Sequence, residues 1–165
     1  MFRPMRRSRQ ELTRRESDGI LYKCTNGVLA LTGDEGWPYA VPLSYVYDGE
    51  KLYFHCAVSG HKLDAVKKEP RACFCVVAQD EVVPENYTTH YKSVVVFGRV
   101  RVLDDEREKR AAIEKLALKY SPNESAQSMN DEINRSWNAL CMLELSPEHV
   151  SGKQARELVP KPGAD

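Results

Sequence analysis

The stretch Tyr39-Ala-Val-Pro-Leu-Ser-Tyr-Val-Tyr-Asp-Gly-Glu-Lys-Leu-Tyr-Phe-His-Cys56 contains two runs rich in aromatic and β-branched residues, joined by Asp48-Gly49. Asp-Gly between such runs is a strong hairpin signal, because glycine reaches the positive φ that tight turns demand. The spacing predicts strands over Tyr39–Tyr47 and Lys51–Cys56. On the second strand Leu52, Phe54 and Cys56 share one face, and Tyr53 and His55 share the other. Pro42 lies inside the first run. Proline cannot donate to a ladder, so this position belongs at an edge, a bulge or a ligand-facing gap.

Outward from the hairpin the same kind of element recurs. Val28–Leu31 reads as a short buried strand, and Gly33–Gly36 as a turn. Downstream, Arg71–Ala78 reads as a strand, a polar loop carries Pro84, and Tyr91–Leu103 reads as a long strand interrupted by Gly98. Cys141–Leu145 returns as a strand and Val150–Lys153 pairs briefly. Helical patterns are peripheral. Thr13 and Glu16 have capping-box spacing ahead of Arg14–Lys23, which Asn26-Gly27 stops. His61–Lys68 is a short helix ended by Pro70. Ile113, Leu116, Ala117 and Tyr120 form a stripe at helical spacing on a helix opened by Asp104-Asp105, and Ser125–Trp137 is a further helix. Hairpins dominate, and the expected fold is α+β, mainly β: a closed or split barrel with peripheral helices.

With 165 residues the chain suits one domain, expected over 13–155, after a basic arm (1–12) and before a disordered tail (156–165). The 24 basic and 24 acidic residues cancel, which argues against a general nucleic-acid binder. The arginine-rich Arg3–Arg15 segment reads first as a solvated arm, perched on a partner subunit or free, and second as an RNA-binding arm. No apolar stretch reaches membrane-spanning length or resembles a secretory signal, and the five cysteines are odd in number. A cytoplasmic protein with free thiols is expected.

Three clusters invite chemistry. Ser59-Gly60-His61-Lys62 leads from a strand into a helix, offering backbone N–H groups and a cation to a phosphate; the competing reading is a plain loop. His55 suits an acid, base or ligand, or a hydrogen-bonded histidine with no such role. Cys73 and Cys75 share a strand face and, with Cys56 or His61, offer thiolate ligands, but zinc-knuckle spacing is absent and small buried hydrophobes fit better. No nucleophile elbow, Walker loop or dinucleotide fingerprint occurs.

Several blocks also carry a resemblance. Gly27-Val-Leu-Ala-Leu31, Gly36-Trp-Pro-Tyr-Ala-Val-Pro-Leu-Ser-Tyr-Val-Tyr47, Leu52-Tyr-Phe-His-Cys-Ala57, Gly60-His-Lys-Leu-Asp64, Tyr91-Lys-Ser-Val-Val-Val-Phe-Gly98 and Ser151-Gly-Lys153 resemble, in order, the nitroimidazole-resistance (Nim) family. That family belongs to the pyridoxamine 5′-phosphate oxidase-like FMN-binding split barrels. The resemblance covers residues 13–155. It implies FMN as cofactor and a homodimer with two flavin sites at the interface. It implies that Val41, Pro42, Leu43 and Ser44 line the flavin ring and that His55 stands near the ring and the reacting substrate. It assigns the phosphate to Ser59, Gly60, His61 and Lys62, with Ser93, Val94 and Lys153 completing the site, the last from either subunit. The implied function is FMN-dependent transfer of electrons from a reduced donor to a small organic acceptor, with His55 catalytic; the alternative is a flavin- or haem-binding protein without turnover. The basic cluster that binds substrate phosphate in true pyridoxamine phosphate oxidases is absent from the C-terminus.

Overall fold

The computed structural model describes residues 1–160. In chain order the elements are β1 (Glu11–Leu12), α1 (Arg14–Lys23), β2 (Asn26–Thr32), β3 (Pro38–Ser44), β4 (Val46–Tyr47), β5 (Leu52–Ala57), α2 (His61–Lys68), β6 (Arg71–Val83), β7 (Thr88–Val102), α3 (Glu106–Tyr120), α4 (Ala126–Ser136) and β8 (Leu140–Gln154). No helix among the described residues is long and apolar enough to cross a membrane.

One antiparallel sheet runs in the order β3-β2-β6-β7-β8-β5-β4. Its two end strands, β3 and β4, are joined in sequence by the single residue Tyr45. Strands that are neighbours in the chain and opposite ends of the sheet force it to curl, and the result is a split barrel. Tyr45 is fully buried at this closure. Its hydroxyl donates to the Leu21 carbonyl at 2.8 Å, and its N–H donates to the Tyr120 hydroxyl at 2.9 Å. The inward residues Leu29, Leu52, Phe54, Phe74, Val76, Val94 and Val96 fill the barrel, with Leu21 of α1 and Leu63 and Val66 of α2 plugging its ends. Phe74 meets Tyr45 and Phe54 edge-on, at 4.9 and 5.0 Å between centroids, a geometry that adds to burial alone.

A second core lies outside the barrel. There α3 and α4 pack Ala112, Ile113, Leu116 and Ile133 onto Val46, Tyr53, Leu140 and Met142, the outward residues of β4, β5 and β8. The helices cover only this half of the barrel wall.

Several expectations need correction. Asn26-Gly27 does not stop α1; both residues open β2, opposite Ser44 and Leu43. The helix ends because Cys24 turns extended, and Gly27 is glycine because a Cβ there would stand 2.5 Å from the Phe74 ring. The first strand of the opening hairpin is two strands broken at Tyr45. Cys141–Leu145 and Val150–Lys153 are one strand, β8, bent where Glu148 bulges out between the pairs Phe97↔His149 and Gly98↔Pro147. Gly98 belongs to that bulge: a Cβ there would lie 2.2 Å from the Ser146 carbonyl oxygen. The polar segment after Ala78 continues as strand to Val83, and β7 starts at Thr88, so the hairpin projects beyond the barrel.

The basic arm folds back on its own chain. Glu11 and Leu12 pair with Lys153 and Gly152, Gln10 and Leu12 are buried, and the Phe2 ring stacks on His149 at 4.8 Å. The expected tail begins instead with a 3₁₀ turn, Arg156–Leu158; residues 161–165 of that expectation lie outside the described residues.

Candidate active site

The predicted site residues fall into two groups. The first gathers around the start of α2. Gly60 caps this helix with φ +128°, a conformation that side chains rarely adopt, and no side chain caps it. The first intrahelical bonds run from the Leu63 and Asp64 N–H groups to the Gly60 carbonyl. The N–H groups of His61 and Lys62 therefore point out of an uncapped, partially positive helix end. Ser59 is exposed beside them and Lys62 is half-buried.

The His61 side chain faces away from the helix end. Its ring stacks on Tyr39 of β3 at 4.2 Å, and its Nε2 lies 3.6 Å from an Asp34 carboxylate oxygen. The side chain ties α2 to β3 and leaves only its backbone N–H for an anion. On β3 the side chains alternate. Val41 and Leu43 pack against the barrel core, so only their backbones face outward, whereas Pro42 is exposed and Ser44 half-exposed on the outer side. The strand is a sheet edge, which satisfies the constraint that Pro42 imposes.

His55 lies on β5 opposite Met142. It lines a cavity of about 750 Å³ between the barrel wall and the α3–α4 pair. Ile113, Leu116, Ile133 and Leu140 supply apolar walls, and Glu124, Glu132 and Arg135 a charged rim. This cavity was not legible in the sequence, because α3 and α4 reveal which face they share only once they are packed. Burial among neighbouring atoms, and second the Lys62 ammonium, hold the His55 pKa below its ordinary 6.5, although part of the ring remains exposed. Both causes disfavour the imidazolium.

The sign of the pH effect follows. Between the folded-state pKa and 6.5 the unfolded chain binds more protons at His55. This residue therefore favours folding above that window, and its contribution is lost as pH falls through it. In an NMR titration of the ring C–H signals, His55 is expected to titrate below 6.5. In Lys62→Ala the midpoint rises without reaching 6.5, because burial is the larger cause. A midpoint unmoved by the substitution would separate the two residues.

The second group lies elsewhere. Ser93 and Lys153 face each other across β7 and β8 on the outer surface, and the Lys153 ammonium sits over the Tyr91 ring at 5.6 Å. Val94 points the other way and is fully buried, so its side chain touches nothing outside the core. Met142, opposite His55, and Lys153 are eleven residues apart along β8, roughly 36 Å if the strand were straight. Within one protomer Met142, the strand neighbour of His55, and Lys153 thus stand near opposite ends of β8.

The outer surface between the groups is apolar. The cross-strand rows Pro42-Val28-Cys75-Val95-Ser151 and Ala40-Ala30-Cys73-Phe97-His149 run over five strands. Val28, Val77 and Phe97 are among the exposed large hydrophobics. The sequence held a signal for this face: β6 and β7 are apolar at both parities, which marks strands covered on both sides. Cys73 and Cys75 are members of it; expected to be buried, they are half-buried because their strand parity turns them to the outer face, and what burial they have raises both thiol pKa values. Among the described residues no three His, Cys, Asp or Glu side chains converge to hold a metal.

A family model described as pyridoxamine 5′-phosphate oxidase matches residues 13–154. The chain belongs to the pyridoxamine 5′-phosphate oxidase family. No curated protein matches it. Solved structures with the same fold include a candidate 5-nitroimidazole antibiotic resistance protein from Bacteroides thetaiotaomicron, 20% identical, with 87% of this chain and 86% of that one covered and a TM-score of 0.75. A FAD-binding protein from Mesorhizobium loti is 25% identical over 88% of this chain and 95% of its own, at 0.62. A FAD- and haem-binding protein from Mycobacterium smegmatis is 20% identical over 93% and 76%, at 0.71. In this pyridoxamine 5′-phosphate oxidase family member, α2 with its uncapped N-terminus and nearly the whole barrel lie inside the matched segment.

Proposed function

We propose that the protein is an FMN-dependent oxidoreductase, working as a cytoplasmic homodimer and passing electrons from a reduced donor to a small organic acceptor such as a nitro compound. The observation that carries this reading is the uncapped α2 N-terminus at Gly60, with Lys62 beside it and His55 within its electrostatic reach. Backbone N–H groups, a glycine without Cβ and one cation are what a phosphate monoester needs. The N–H groups of His61 and Lys62, the Lys62 ammonium and the Ser59 hydroxyl hold that phosphate. Pro42, Ser44 and the backbones of Val41 and Leu43 offer an edge for the flavin ring. FMN, when bound, supplies the redox chemistry.

The chain's own part is positional. His55 holds the acceptor at the mouth of the α3–α4 cavity and donates a hydrogen bond or a proton to it. The apolar walls exclude water from that contact. Ser93, the backbone of Val94 and Lys153 contribute from the second copy, since within one protomer Lys153 and the strand neighbour of His55 stand near opposite ends of β8. Lys62→Ala is expected to weaken FMN binding about 10- to 100-fold, the scale of one charge-assisted contact, measured by quenching of flavin fluorescence. Unchanged affinity would remove the phosphate assignment. A haem-binding reading has one observation in its favour, the partly exposed and preferentially neutral His55 imidazole, suited to axial ligation. It predicts a Soret band that His55→Ala abolishes.

A further inference from the structure

We infer that the cleft between the N-terminal arm and the turn after β8 binds a small organic molecule bearing a diphosphate. This inference is independent of the flavin reading. The cleft has a volume of about 980 Å³ and is lined by Arg6, Arg7, Arg9, Gln10 and Arg156. Arg7, Gln10 and Arg156 also line an adjoining hollow of about 280 Å³, which reaches Tyr91.

Four exposed arginines around one concavity make its local potential positive and favourable to an anion. Among the described residues Arg6, Arg7 and Arg9 form no ion pair, and Arg156 meets only Glu157, at 3.3 Å on the surface. Arginine's planar fork matches phosphate oxygens two at a time, and four forks call for more than one phosphate group.

The cleft volume suits an organic ligand of nucleotide size rather than a lone anion. A nucleic-acid strand fits less well: the chain has no net positive charge, and the arginines surround a concavity instead of tracking an exposed stripe.

The test is calorimetric titration of the full-length protein with ADP, inorganic pyrophosphate and a single-stranded oligonucleotide. ADP is expected to bind, and Arg7→Ala combined with Arg156→Ala to weaken it at least tenfold. Both arginines are exposed, so their truncation leaves the core intact, which far-UV circular dichroism checks. Lys62→Ala is expected to change neither ADP nor pyrophosphate binding. Failure of ADP to bind overturns the proposal, whether or not pyrophosphate or the oligonucleotide binds. So does ADP binding that survives the double arginine substitution, or that Lys62→Ala abolishes, since the ligand would then occupy the α2 cradle. Loss of FMN binding alone, with these ADP results intact, would count against the flavin reading and not against this one.

Discussion

His55→Ala is expected to lower the turnover of a nitro-compound acceptor by about 10²- to 10³-fold while FMN binding changes only a few-fold. The magnitude is that of a positioned proton donor. The separation between the two effects comes from geometry. His55 projects from β5 beneath α3 and α4 into a cavity walled by Ile113, Leu116, Ile133 and Leu140, whereas the proposed phosphate cradle consists of backbone N–H groups at the start of α2 and Lys62. The pH profile adds a second signature. The His55 pKa lies below 6.5, so if the imidazolium is the donor, kcat rises as pH falls below 6.5, and His55→Gln flattens the rise. Steady-state kinetics with a saturating reductant decide it. Turnover within threefold of the unmodified protein would leave His55 a structural residue.

Val95→Glu is expected to convert a dimer into a monomer, weakening association by at least about 10³-fold. Val95 stands in the middle of an outward row, between Cys75 and Ser151. On either side of it lie Val28, Phe97 and Cys73, an apolar surface that no helix of the same chain covers. Such a surface is unusual on a monomer in water. A carboxylate at its centre would be buried without a partner in a face-to-face dimer, which costs several kcal/mol. In the isolated protomer the same position is only half-buried, so the fold survives. Light scattering should report twice 18.8 kDa before substitution and 18.8 kDa after it, with an unchanged far-UV spectrum. On the proposal that Ser93 and Lys153 complete the flavin site from a second copy, FMN affinity should fall in parallel. An unmodified protein that is monomeric at tens of micromolar would contradict the shared site.

The sequence revealed elements whose signals are local. The Thr13–Glu16 capping box gave α1, with both reciprocal hydrogen bonds formed. Asp48-Gly49 gave the β4–β5 turn, where the Asp48 side chain accepts from Glu50 and Lys51 N–H groups, and the period of Ile113, Leu116 and Ala117 gave α3. What escaped is set by non-local pairing. Pro147 and Glu148 look like a chain break, yet one bulge against Gly98 keeps β8 continuous. The polar run Gln79-Asp80-Glu81 lacks an apolar parity because that part of the β6–β7 hairpin stands clear of the core. A two-residue strand such as β1 carries no pattern at all; only its pairing with Lys153 and Gly152 defines it.

The candidate site shows the same division. The helix start at Gly60, with Lys62 in its first turn, was readable because a helix start is a local event. His61 was assigned to the phosphate, but its side chain belongs to Tyr39 and Asp34, partners more than twenty residues away in sequence. The side chains of Val41, Leu43 and Val94 follow strand parity into the core, so a site built on them uses backbone groups. The arginine cleft needs Arg7 and Arg156 side by side, which follows from the arm pairing with the end of β8.

The central claim is that this chain holds FMN. The most direct measurement is to purify the protein without added cofactor, release any bound small molecule, and record its visible spectrum and mass. The expected result is FMN, near one per chain. A haem spectrum, or a colourless protein that also fails to take up added FMN, would contradict it.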